Sequence, residues 1–200
     1  MLLEEKTDPR VKRTRQLLQT ALLELLAEQP FHNITVQDVT ARAGVNRATF
    51  YAHFEDKYEL LNQSMRENFQ ARLDARLPRD PQFTVDNLRV VTVTVYEFLS
   101  EFLSRCAPVH QVNEEAVMLM QVHQQLYETL LAWVKHADSA HLGSQKAEVA
   151  ATIVSWSVWG TALQRFGCHG QAMAPTALAD QVLELLSRGL HEYLREDAQT

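Results

Sequence analysis

The most constraining feature of this chain is the stretch from Thr35 to Lys57, which reads TVQDVTARAGVNRATFYAHFEDK. It holds two helix starts and one obligatory helix end. Thr35 and Asp38 have the spacing of a capping box, in which the threonine hydroxyl accepts a helix N–H and the carboxylate reaches back. The helix opened there must be short, because Gly44 follows six residues after Asp38. Glycine is the residue that takes the left-handed conformation at the close of a helix. Asn46 is a strong N-cap, so a second helix starts almost at once and is expected to run through RATFYAHF. Val39, Val45 and Phe50 are the positions that would pack the pair together. Two short helices joined by a glycine turn form a helix-turn-helix.

The remainder also reads as helix. Only six glycines and six prolines punctuate 200 residues, and the runs between them carry Leu, Ala, Glu, Gln and Arg at helical spacing. The first helix is expected from about Val11 to Glu28, with Leu18, Leu22, Leu25 and Leu26 as its apolar stripe. Asp8 can cap it, and Pro9 suits a first helical position. Another helix should start near Asp56, carry Tyr58, Leu61, Met65, Phe69 and Leu73 on one face, and stop before LPRDPQF. The run VDNLRVVTVTVYEFLSEFLSRC alternates like a strand at its centre. Leu88, Val91, Val95, Phe98 and Phe102 nevertheless form a longer helical stripe, so the helix is preferred. Three further helices follow, the middle one (KAEVAATIVSWSVWGTALQRFG) apolar almost all round, as befits a buried or interface helix. The fold class is therefore all-α.

Several functions are disfavoured by what the sequence lacks. Cys106 and Cys168 stand 62 positions apart with no CxxC or Cys/His cluster, which suits reduced core residues in a reducing compartment. His136, His141 and His169 match no metal spacing, so no metal and no cofactor are expected. The first residues lack a signal peptide's apolar core. No run approaches the roughly 18 apolar residues of a membrane helix, and a cytoplasmic location with no membrane partner is expected. No nucleophile elbow, H-E-x-x-H or phosphate loop is present, which argues against an enzyme.

The block from Thr35 through Phe54, with Lys57 just after, resembles the DNA-binding domain of the tetracycline-repressor (TetR) family of bacterial transcription regulators. The resemblance extends over roughly Val11 to Met65. It implies a helix-turn-helix domain over residues 1–55 and a helical effector-binding and dimerisation domain over 56–200, about nine helices in all. It also implies that Thr35, Arg47, Ala48, Thr49, Tyr51, His53 and Lys57 stand where family members touch DNA. The chemistry agrees. A recognition helix enters the major groove N-terminus first, and Asn46, Arg47, Ala48 and Thr49 form that first turn. Arg47 can fork onto guanine or grip a phosphate, Ala48 allows close approach, and Tyr51 and His53 can reach phosphates. Thr35 and Lys57 each mark a helix start, where free N–H groups attract an anion. One departure is Ala52, where the family often has a second aromatic. A basic arm of Arg10, Lys12, Arg13 and Arg15 can reach the backbone or minor groove.

The same resemblance implies a homodimer through the last two helices, a palindromic double-stranded operator, and a small-molecule effector that releases the repressor. Small residues around Trp156 and Trp159 would let helices approach closely. The effector pocket is expected among Tyr96, Phe102, Met118, His123, Tyr127, Trp133 and Trp156. The alternative is a protein-interaction module of the same fold that does not itself bind DNA. The DNA-binding residues do not distinguish a repressor from an activator.

The formal net charge of −6 looks unfavourable for DNA binding, but it conceals a split. Between Pro9 and Phe54 six basic residues face three acidic ones. A basic reading head on an acidic body would dock head-first.

Overall fold

The computed structural model describes residues 8–106, 112–137, 143–167 and 174–195, with side chains described for 8–102, 119–137, 143–164 and 174–186. Eight α-helices and one 3-10 turn account for nearly all of them, with no strand among the described residues: α1 Pro9–Glu28, the 3-10 turn Phe31–Asn33, α2 Val36–Ala43, α3 Arg47–Tyr51, α4 Lys57–Asp74, α5 Val85–Cys106, α6 Val112–Ala137, α7 Ser144–Gly167 and α8 Pro175–Arg195. Of the described residues, 8–65, 105–106 and 112–118 form one compact unit and 66–104, 119–137, 143–167 and 174–195 the other, so the division falls inside α4, α5 and α6.

In the first unit, α1 starts two residues earlier than the apolar pattern suggests. Asp8 caps it by accepting from the Arg10 amide, and Pro9 opens it. Leu18, Leu22, Leu25 and Leu26 are all buried, joined by Ile34, Val39, Phe50, Phe54, Leu60 and Leu61. Val45 is only half-buried, so Val39 and Phe50 do most of the packing expected of the three. On α4, Leu61 and Met65 are buried as expected, but Tyr58 is 51% exposed. It lies over the edge of the Phe31 ring at 5.1 Å, and Leu60 takes the inward place.

The second unit is built from long helices. The strand-like centre of α5 is helical because its threonines turn their hydroxyls on the helix itself. Buried Thr92 donates to the Leu88 carbonyl at 2.8 Å, and Thr94 to that of Val90 at 2.7 Å. Each polar group is satisfied within its own helix, while Leu88, Val91, Val95, Phe98 and Phe102 stay buried on one stripe. Phe69 of α4 meets Phe98 edge-on at 5.5 Å. Ion pairs link the helix surfaces: Arg72 grips Glu101 with two bonds of 3.0 and 2.7 Å, and Arg76 meets Glu97 at 2.6 Å. Cys106 and Cys168, like His141 and His169, lie outside the described side chains.

On α7, the small residues expected to form a subunit contact mostly face inward. Ala147, Ala150, Ala151, Ser155 and Ala162 are buried with Trp159 in the protomer's own core. The outward face carries Val149, Ile153 and Trp156, which are 42 to 51% exposed, with Gly160 a turn further on. This spacing of four, three and four is a single helical stripe.

Candidate nucleic-acid interface

The helix-turn-helix is closed by local hydrogen bonds that the sequence spells out. The Thr35 hydroxyl accepts from the Asp38 amide at 3.2 Å, and Asp38 accepts from the Thr35 amide at 2.8 Å and from its hydroxyl at 2.6 Å. Those bonds hold the Asp38 carboxyl below its ordinary pKa, the hydroxyl contributing most. Gly44 closes α2 with φ at +69°, where any Cβ would be strained. Asn46 Oδ1 then accepts from the Thr49 amide at 2.7 Å and the Thr49 hydroxyl at 3.0 Å.

The second helix is shorter than its pattern suggests. It spans Arg47–Tyr51, and Ala52 is its C-cap. His53 and Phe54 therefore lie beyond it. Phe54 is buried against the first unit's core, with the Arg15 guanidinium 4.9 Å over its ring. Asp56 then caps α4 by accepting from the Glu59 amide at 2.8 Å. The chain must leave the helix to bury Phe54 and reach that cap.

The expected DNA-facing residues fall into two groups. Arg47, Ala48 and Tyr51 are exposed, and Tyr51 rests edge-on against Phe50 at 5.3 Å. His53 is half-buried beside Phe54. Thr35, Asn46 and Thr49 are at the surface, but their side-chain oxygens are engaged in the two caps. Lys57 is engaged too: its ammonium donates to the carbonyls of Phe31, His32 and Ile34 at 3.0, 3.1 and 2.7 Å and lies 4.7 Å over the Phe31 ring. It ties the 3-10 turn to the start of α4, a role its place in the sequence does not reveal.

The basic head is also smaller than the residue count implies. Arg42 forks onto Glu28 at 2.9 and 2.7 Å and reaches Glu24 at 3.4 Å. These bonds push the Arg42 pKa upward and the Glu28 pKa downward. Arg15 donates to Gln63, which donates to Glu59 at 2.8 Å. Arg10, Lys12, Arg13 and Arg47 are exposed and form no ion pair with a described residue.

Residues 18–63 match the family described as bacterial regulatory proteins, tetR family. Over residues 18–63 the chain belongs to the TetR family. It is 32% identical over 184 residues to YxbF, an HTH-type transcriptional regulator of Bacillus subtilis, covering 92% of this chain but 47% of that protein. The chain thus spans about half the length of that relative. IcaR of Staphylococcus epidermidis, a negative transcriptional regulator of a biofilm operon, is 22% identical over 183 residues, covering 82% of this chain and 92% of IcaR. Among solved structures, the Bacillus subtilis regulator FadR in complex with stearoyl-CoA shares the fold with a TM-score of 0.54 and 20% identity, covering 86% of this chain and 96% of FadR.

The effector residues expected from the resemblance differ in their burial among the described side chains. Tyr96, Phe102, His123 and Trp133 are buried, Tyr127 is half-buried, and the Met118 side chain lies outside the described residues. Trp156 is 48% exposed, so it belongs to the outward face of α7 and not to an enclosed lining. His123 packs between Trp156, at 4.1 Å, and Trp159, at 5.5 Å. Its buried Nε2 has no partner among the described residues, and burial depresses its pKa. Of these residues, Trp133 lines a cavity in the second unit, along with residues of the turn after α4. No group of three or more His, Cys, Asp or Glu among the described residues is placed to hold a metal. No helix among them is long and apolar enough to cross a membrane.

Proposed function

We propose that this TetR-family chain is a dimeric DNA-binding repressor released from a palindromic operator by a small molecule. The observation that carries this reading is the single-turn helix Arg47–Tyr51, held by the Asn46 cap with Arg47, Ala48 and Tyr51 outward. In the groove, Arg47 reads or grips while Tyr51 and the exposed Arg10, Lys12 and Arg13 engage phosphates. IcaR is named as a negative regulator and FadR was solved with a bound acyl-CoA, which supports repression and effector release here.

The exposed α7 stripe of Val149, Ile153 and Trp156, with Leu185 of α8 at 78% exposure, supports dimerisation through these two helices. An apolar stripe of this length on an otherwise polar surface marks an interaction site. A twofold dimer presents two recognition helices to half-sites one helical turn (~34–36 Å) or more apart. Effector release needs only differential affinity of the ligand for the two states of the repressor.

The test is a gel shift with the DNA upstream of the protein's own gene. Retardation that falls steeply with salt, and that weakens on Arg47→Ala or Tyr51→Phe, is expected. Equal affinity of all three proteins would remove α3 from the groove.

A further inference from the structure

The second unit contains a cavity of about 480 Å³ between the end of α4, the 77–81 turn and α6. That volume lies within the range of small-molecule sites. Its apolar wall is formed by Leu73, Leu77, Pro81 and Trp133, and two charged residues of opposite sign, Asp74 and Arg79, also line it.

The Asp74 carboxylate is held in place. Buried Gln125 donates through Nε2 to Gln70 Oε1 at 2.8 Å, and Gln70 donates through Nε2 to Asp74 Oδ1 at 2.7 Å. This chain of amides starts from buried Gln125 and ends on the exposed Asp74 carboxylate, whose orientation it sets. Asp74 Oδ2 has no donor among the described residues.

Arg79 differs from the arginines around it. Arg66, Arg72, Arg76 and Arg89 of the same unit each pair with a carboxylate, on Glu128, Glu101, Glu97 and Asp180 respectively. Arg79 pairs with none among the described residues, Asp74 included. An oriented anion and an unpaired cation, both exposed, therefore share the rim of one cavity without neutralising each other. A ligand with opposite charges on an apolar body would complete both.

We infer that this cavity binds a zwitterionic hydrophobic small molecule of about dipeptide size. Its ammonium rests on Asp74, its carboxylate on Arg79, and its apolar side chains lie against Leu73, Leu77 and Trp133. Charge-assisted bonds at each end fix its orientation, and the apolar wall supplies the area buried. As an effector site, this inference rests on the repressor reading; as a binding site, it does not.

Calorimetry on the full chain without DNA tests it with three probes that share one apolar body. These are leucyl-phenylalanine, its N-acetyl derivative, which lacks the cation, and its C-terminal amide, which lacks the anion. The zwitterion is expected to bind more than tenfold tighter than either. Asp74→Asn should erase its advantage over the N-acetyl form, and Arg79→Gln its advantage over the amide. Ala132→Trp, which fills the cavity from a lining position, should abolish binding of all three. Absence of heat with every probe, equal affinity for the three, or an advantage that survives both charge substitutions would overturn the inference. A protein that still retards its own promoter in that case loses the cavity assignment and keeps the repressor reading.

Discussion

The two units of this chain are both helical, but they are determined at different ranges. In the first, the decisive bonds span three residues: Thr35 with Asp38, and Asn46 with Thr49. In the second they span tens of residues, as in Arg72 with Glu101 and Gln70 with Gln125. A short-range bond can be read from spacing alone. A long-range one depends on packing that spacing does not specify. The helix-turn-helix of the first unit is therefore the more legible.

That contrast can be broken or sharpened by substitution. The largest effect is expected from Phe50→Ala. The ring is fully buried and shared by α3 and Phe54, and its loss costs about 3–5 kcal/mol. Chemical denaturation should show the first unit melting early while the fluorescence of Trp133, Trp156 and Trp159 in the second stays native. A single concerted transition would show that the units do not unfold separately. Next comes Lys57→Ala, which removes a charged donor from the carbonyls of Phe31, His32 and Ile34 and costs about 1.5–3 kcal/mol. Operator affinity should fall with stability, whereas a loss of affinity at unchanged melting temperature would make Lys57 a direct phosphate contact. Gly44→Ala is expected to cost about 1 kcal/mol from backbone strain alone, because an added Cβ meets nothing within 4 Å.

The smallest effect is a pH dependence that separates the units. The folded pKa of His123 lies below its ordinary value of 6.5 because burial disfavours the imidazolium. The unfolded chain then binds the extra proton, so stability is full above pH ~6.5 and declines below it. In the first unit, Asp38 and Glu28 are depressed from 3.8 and 4.5, so their contribution persists until pH falls through the carboxylate range. Acidification should loosen the second unit first, as followed by tryptophan fluorescence. His123→Asn should flatten the slope between pH 5 and 7, and an unchanged slope would remove this histidine as its source.

The elements that could be read from sequence are those whose cause is local. The capping box, the Gly44 turn, the Asn46 cap and the Leu18 to Leu26 stripe all stand where the residues place them. The alternating valines of α5 were decidable because a stripe longer than the alternation ran through them. What escaped reading has a tertiary cause. Phe54 ends α3 by needing a core place, and Tyr58 leaves its stripe to cover Phe31. Arg42 is neutralised by carboxylates 14 and 18 residues back. Lys57 reads as a free cation because its acceptors are carbonyls, which every residue has. In the second unit, Trp133 could be named as a lining residue but its partners could not. Arg79 and Pro81 sit in what reads as a linker, and Gln70 and Gln125 differ from surface glutamines only in burial.

The cap at the start of α3 also bears on how the proposed regulator could change its target. Five residues of helix cannot hold their shape unaided, so Asn46 and Thr49 are committed to maintaining it, whatever DNA lies opposite. Arg47, Ala48 and Tyr51 carry no such obligation, since no described side chain depends on their polar groups. In the proposed complex, operator preference can thus drift at Arg47 and Ala48, with Tyr51 holding the phosphates, while the reading surface itself stays intact. A lineage acquiring a new operator would be expected to rewrite those two and leave the capping pair alone.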